Sequence, residues 1–76
     1  MNPQELINAK NLILAMPLNQ VMELKEIYGE SWSSISSPTT FGKKFKKEYD
    51  NESFPNLKWH GVKPNGPNHE RYERIK

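Results

Sequence analysis

Apolar side chains recur at helical spacing twice along the chain, and the two recurrences mark its main elements. Near the N-terminus Leu6, Ala9 and Ile13, flanked by Ile7 and Leu14, form a stripe three to four residues apart, the period of a helix that buries one face. Asn2, Pro3 and Glu5 precede it as an N-cap, a first-turn proline and a capping-box partner. Pro17 biases Met16 away from helical geometry, so the helix is expected over residues 3–15. Leu12 falls off this stripe, on the far side near Gln4 and Asn8, and reads as an exposed apolar residue or part of a dimer contact.

The second recurrence is Phe41, Phe45 and Tyr49, with Thr40, Lys43 and Lys47 projecting from the opposite side at about 100° per residue. Ser37 before Pro38 is a start signal, because the hydroxyl can cap an orphan amide and proline tolerates the first helical position. A helix over 37–50 follows, one face toward a core and the other basic. Gly42 within it costs about 1 kcal/mol relative to alanine and is expected to permit close packing against another element.

Between these helices, residues 18–21 suit a brief strand, and 23–28 a short helix carrying Leu24, Ile27 and Tyr28 that Gly29 can end with a positive φ. A helix so short must dock on the rest of the fold. The serine-rich stretch 30–36 reads as a flexible linker or, through Trp32 and Ile35, as a loop pinned to the core. After the basic helix, Phe54 before Pro55 is expected to plug the core. Residues 57–61 alternate apolar and polar like a half-buried strand, 63–69 hold turn formers, and 71–75 suit a second strand. These three segments predict a hairpin with a flexible tip at 63–69.

A chain of 76 residues is expected to form a single domain, and one this small buries only about 60% of the surface its unfolded form exposes. Hydrophobic residues make up 34% of it, with six prolines and four glycines, a balance near that of disordered chains. Eight aromatic residues and two clear helical rhythms argue for a folded domain. There is no cysteine, which excludes disulfides and thiolate metal sites and leads to an expected cytoplasmic location. Neither a secretory leader nor a membrane span is expected: the start MNPQELINAK lacks a basic n-region, and no apolar run nears the ~18 residues of a span. The net charge of +2 is uneven: residues 1–36 hold two Lys against four Glu, and residues 37–76 nine Lys and Arg against five acids. The basic surface therefore belongs to the second half.

The order helix, short strand, short helix, connector, basic amphipathic helix and hairpin resembles a winged helix-turn-helix domain, an α+β fold of three helices followed by a C-terminal β-hairpin, the wing. In detail the chain is similar to small uncharacterised bacterial and prophage-type domains through LKEIYG at 24–29, Trp32, FGKKF at 41–45 and YER at 72–74. It departs from a plain helix-turn-helix in the connector, about 29–36, which exceeds the ~3 to 4 residues of a simple turn. The resemblance implies a DNA-binding protein, a small transcriptional regulator encoded on a mobile element, whose third helix enters the major groove of duplex DNA while the wing touches backbone.

On that reading Lys43, Lys44, Lys46 and Lys47 neutralise phosphates, Thr39 and Thr40 lie where recognition helices contact base edges, and Lys58, His60, Lys63 and Arg71 contribute from the wing. The helix carries no Arg, Asn or Gln before Asn51, the side chains best suited to bidentate base reading, so phosphate positioning is favoured over sequence reading. The bland alternative makes the lysine cluster an ordinary solvated face. A second functional class is a protein-interaction module or homodimer, which an exposed apolar patch such as Leu12 with Met16, or Leu18 with Met22, would favour. Trp59 reads as core or wing base, with a stacking platform for single strands as the lesser alternative. His60 and His69, nine apart without cysteine, do not match zinc-ligand spacing. The serines at 31, 33, 34, 36 and 37 lack a nucleophile elbow, and there is no phosphate-binding glycine loop. No enzyme activity and no cofactor are expected.

Overall fold

The computed structural model describes residues 1–62 and 69–76. The predicted flexible tip, apart from His69, lies outside the described residues, as does Lys63. The first helix, α1 (Pro3–Leu14), opens on the predicted capping box: the Asn2 side-chain oxygen accepts from the Glu5 amide at 2.8 Å, and Glu5 Oε1 accepts from the Asn2 amide at 2.9 Å. Ala9 and Ile13 are buried and Leu6 packs against the core. The flanking residues reverse the expectation. Leu12 packs inward, one turn before the buried Met16, while Ile7 and Leu14 are 53% and 56% exposed. The buried arc of α1 runs through Leu12, Ala9 and Ile13, and the 100° step carries Ile7 and Leu14 to the opposite side.

The first strand is displaced from 18–21 to β1 (Val21–Glu23). Asn19 adopts a positive φ of 62°, which breaks any extended run there, and Leu18 makes only an isolated bridge to Arg74. Helix α2 (Leu24–Tyr28) follows at once, buries Leu24, Ile27 and Tyr28, and ends at Gly29, whose φ of +55° disfavours other residues. A 3-10 turn (Gly29–Ser34) forms the connector, and Trp32 and Ile35 pack on the core. The serine-rich segment is therefore an anchored loop.

Helix α3 (Pro38–Asp50) carries the predicted aromatic stripe. Phe45 is wholly buried, stacked on Phe54 at 4.8 Å between ring centroids and edge-on to Tyr72 at 5.0 Å, while Phe41 meets Tyr28 edge-on at 5.1 Å. Edge-to-face and offset contacts of this kind add to the burial of the rings themselves. Two details differ from the sequence reading. Ser37 does not cap α3: its hydroxyl donates to the Thr40 hydroxyl oxygen at 3.0 Å. Gly42 does not serve close packing, since a Cβ there would meet nothing within 4 Å.

Strands β2 (Leu57–Val62) and β3 (Glu70–Arg74) are antiparallel, and β1 adds to the far side of β3, giving the order β1-β3-β2. The fold is α+β, with three α-helices and a three-stranded antiparallel sheet among the described residues. Tyr72 at the centre pairs across to Met22 and Trp59 and is fully buried. Between Trp59 and Gly61 the register shifts, and Gly61 sits at a φ of +81°, so His60 bulges out of the ladder.

Candidate functional site

Helix α3 positions the basic residues by presenting Phe41 and Phe45 to the core, which turns Lys43 and Lys47 to the opposite side. Thr39, Thr40, Lys43, Lys44 and Lys47 are exposed, and Lys46 is half-buried. Among the described residues no carboxylate lies within ion-pair distance of Lys43, Lys44 or Lys47. Lys46 differs: its ammonium reaches the Asp50 carboxylate at 2.6 Å and lies over the Trp59 ring at 4.2 Å. It tethers α3 to β2, and its charge is largely spent on those neighbours.

Two clefts flank the first turns of α3. On the hairpin side Thr39, Gly42 and Lys43 face Val62, His69 and Glu70 across a cleft of about 640 Å³. On the α1 side Thr40 and Lys44 join Glu5, Asn8, Tyr28 and the connector serines around one of about 450 Å³. Thr39 and Thr40, both expected at the helix start where base edges are contacted, border different clefts.

The hairpin residues are mostly engaged. Lys58 is exposed and pairs in register with Glu73. His60 Nε2 lies 2.7 Å from a Glu73 carboxylate oxygen, and His69 Nδ1 lies 2.8 Å from Glu23, which ties the hairpin to β1. Arg71 donates through Nη2 to the His60 carbonyl at 3.2 Å, and its Nε is buried. Arg74 donates through Nη1 to the carbonyls of Leu14 (3.1 Å) and Met16 (3.0 Å). No basic residue lies in the last turn of α1, so Arg74 supplies from β3 the cation that a helix C-terminus favours. The exposed ring of Trp59 is covered on one face by Lys46, and its Nε1 donates to Glu70.

Two phenols are unusual. The hydroxyls of Tyr28 and Tyr72 are buried and find no hydrogen-bond partner among the described residues. Burial holds both above the ordinary phenol value, with Glu5 adding to Tyr28, and Glu70 and Asp50 to Tyr72. The helical spacing of Tyr28 predicts its ring in the core but carries no signal that its hydroxyl lacks a partner among the described residues. The serines that wall the adjacent cleft were visible only as a connector.

Among the described residues no helix is long and apolar enough to cross a membrane. No curated protein and no solved structure matches the chain. The family described as a domain of unknown function (DUF1413) matches residues 8–74, a span that includes the short helix, the lysine-rich helix and both hairpin strands, and the chain belongs to that family.

Proposed function

We propose that this chain is a cytoplasmic, non-enzymatic protein that binds duplex DNA on a winged-helix scaffold, as a small regulator of transcription of the kind found on mobile elements. The observation that carries the proposal is the set of Lys43, Lys44 and Lys47 on α3, exposed and without carboxylate partners among the described residues. The strand order β1-β3-β2 and the placement of α3 beside the hairpin are compatible with a winged helix. Phosphate contacts dominate this mode of binding, and Thr39 at the helix start is the side chain best placed to touch a base edge. The hairpin contributes less, through Lys58, because His60 and Arg71 are held internally.

The deciding experiment is a titration of the protein with duplex DNA over a range of salt concentrations. Binding should weaken with salt at a slope of about −0.9 per phosphate contacted, giving about −3 for three lysines. Salt-independent affinity, or no binding at low salt, would sink the proposal.

A protein-interaction module is the second reading, and a specific observation favours it. Leu12, Met16 and Met22 pack into the core, but Leu14, Leu18, Val21 and Ile75 are each more than 40% exposed near the edge strand β1. Leu18 bridges to Arg74 beside Ile75, and Arg74 bonds the Leu14 carbonyl, which gathers these residues on one side. Sedimentation of wild type and Leu14→Ser/Leu18→Ser discriminates: a concentration-dependent dimer abolished by the pair of substitutions supports this reading, and a monomer at all concentrations removes self-association from it.

A further inference from the structure

We infer that helix α2 is a second element of the DNA-binding surface, through Lys25, an inference that rests on the proposed DNA reading and extends it to a residue outside α3 and the hairpin. Lys25 borders the hairpin-side cleft together with Thr39 and Lys43 of α3. It is exposed and, like Lys43, has no carboxylate within ion-pair distance among the described residues. Its acidic neighbours in the chain are occupied: Glu26 Oε1 accepts from the Glu23 amide at 3.0 Å, and Glu23 Oε1 lies 2.8 Å from His69 Nδ1. Two unpaired ammonium groups from different helices therefore border one cleft, and their summed field attracts a polyanion to its mouth.

The frame under these two lysines is rigid. Tyr28 of α2 meets Phe41 of α3 edge-on at 5.1 Å between ring centroids, and Trp32 of the connector meets each of them at 6.2 Å. This cluster fixes the start of α3 against α2 although the connector is longer than a simple turn, so Lys25 and Lys43 keep their relation before a duplex arrives. Leu24, Trp32 and Pro38 give the cleft an apolar lining that offers nothing to a phosphate, and the DNA backbone crosses the mouth without entering. Glu70 borders the cleft from the hairpin, with its carboxylate accepting from Trp59 Nε1. Its charge repels phosphate from the hairpin side and leaves the side between α2 and α3 as the favourable crossing. His60, Arg71 and Arg74 are held internally, so α2 outranks the hairpin as the second contact. Phosphate contacts from two helices fix the register of a duplex, and a fourth lysine steepens the expected salt slope from about −3 to about −4.

The test is a salt-dependent titration with duplex DNA of wild type, Lys25→Ala, Lys25→Arg, Lys58→Ala and, as the control on α1, Lys10→Ala, an exposed lysine that borders neither cleft. Lys25→Ala should flatten the slope by about one unit, as Lys43→Ala does. Lys25→Arg should keep the wild-type slope, and so should Lys10→Ala. Lys25 also lies in the last turn of the short α2, so urea unfolding accompanies each titration: a wild-type midpoint with a flattened slope supports the contact, and a lowered midpoint with the slope unchanged overturns it. Loss of slope in Lys25→Arg equal to that in Lys25→Ala overturns a role for the charge, and an effect at Lys58→Ala as large as at Lys25→Ala overturns the rank of α2 above the hairpin. Wild type that binds with a salt slope while Lys25→Ala matches Lys10→Ala fails this inference alone; wild type without salt-dependent binding fails the DNA reading and the inference with it.

Discussion

The lysines of α3 and the basic residues of the hairpin have similar sequence density and opposite fates. On α3, Lys43, Lys44 and Lys47 stand in solvent without carboxylate partners among the described residues. In the hairpin, His60 and His69 are matched to Glu73 and Glu23, Arg71 turns to a backbone carbonyl, and Arg74 closes the end of α1. The difference teaches that formal charge is not available charge. Hairpin cations lie across a ladder from acids of the neighbouring strands, at the separations where cross-strand pairs form. The helix exposes a face on which Thr39, Lys43 and Lys47 follow one another, while its two acids are already engaged, Asp50 by Lys46 and Glu48 by the Met1 ammonium.

The largest effect that tests this contrast is structural. Arg74→Met should cost about 3 kcal/mol of stability, because two carbonyls at the end of α1 lose a charged donor and such bonds contribute about 1.5–3 kcal/mol each. Urea unfolding measures it. The folded fraction should bind DNA as wild type does; a loss of affinity matching that of an α3 lysine would mean that Arg74 belongs to the surface and not to the frame. Lys43→Ala and Lys47→Ala should behave in the reverse way, each reducing the salt dependence of DNA binding by about one unit of slope while moving stability by no more than about 0.5 kcal/mol. His60→Gln should leave the slope unchanged.

The same contrast shows what could be read from the chain. The stripe of Phe41, Phe45 and Tyr49 and the capping box at Asn2 and Glu5 were legible, because both depend on residues close in sequence. Leu12 and Leu14 were exchanged, since both adjoin the stripe and only the burial of Met16 decides which side of it α1 buries. The strand β1 was misplaced for a similar reason: its pairing with Glu73 and Arg71 comes from about 50 residues away, and three residues carry too little pattern of their own. The available lysines could be counted but not sorted. The tether of Lys46 to Trp59 and the pairing of His60 with Glu73 rest on the geometry of β2, where the bulge at Gly61 re-aims the imidazole.

A smaller effect concerns the two unpaired phenols. Tyr72→Phe keeps the ring against Phe45 and removes a buried hydroxyl that has no partner among the described residues, so stability at neutral pH should hold or rise by about 1 kcal/mol. In the wild type burial raises the folded Tyr72 phenol above its ordinary value of 10.0. The stabilisation is therefore full below pH 10 and is lost as pH climbs toward the folded value, because the unfolded phenol releases its proton first. Unfolding curves from pH 9 to 11 should fall more steeply for wild type than for Tyr72→Phe; parallel curves would show that the hydroxyl ionises as freely in the folded state.

The smallest change falls on α3 itself. Gly42 has helical backbone, and a Cβ there meets nothing within 4 Å, so Gly42→Ala should gain a little under about 1 kcal/mol from helix propensity alone. The position borders the hairpin-side cleft next to Thr39 and Lys43. A methyl group fits this open space without displacing either neighbour, and because Lys43 and Lys47 keep their exposure the salt slope of DNA binding should not move. Stability gained with DNA affinity retained would place the contact surface on the lysine ridge. Stability gained with affinity lost would move it into the cleft between α3 and the hairpin, where a nucleic-acid backbone would have to approach closely enough to meet that one methyl.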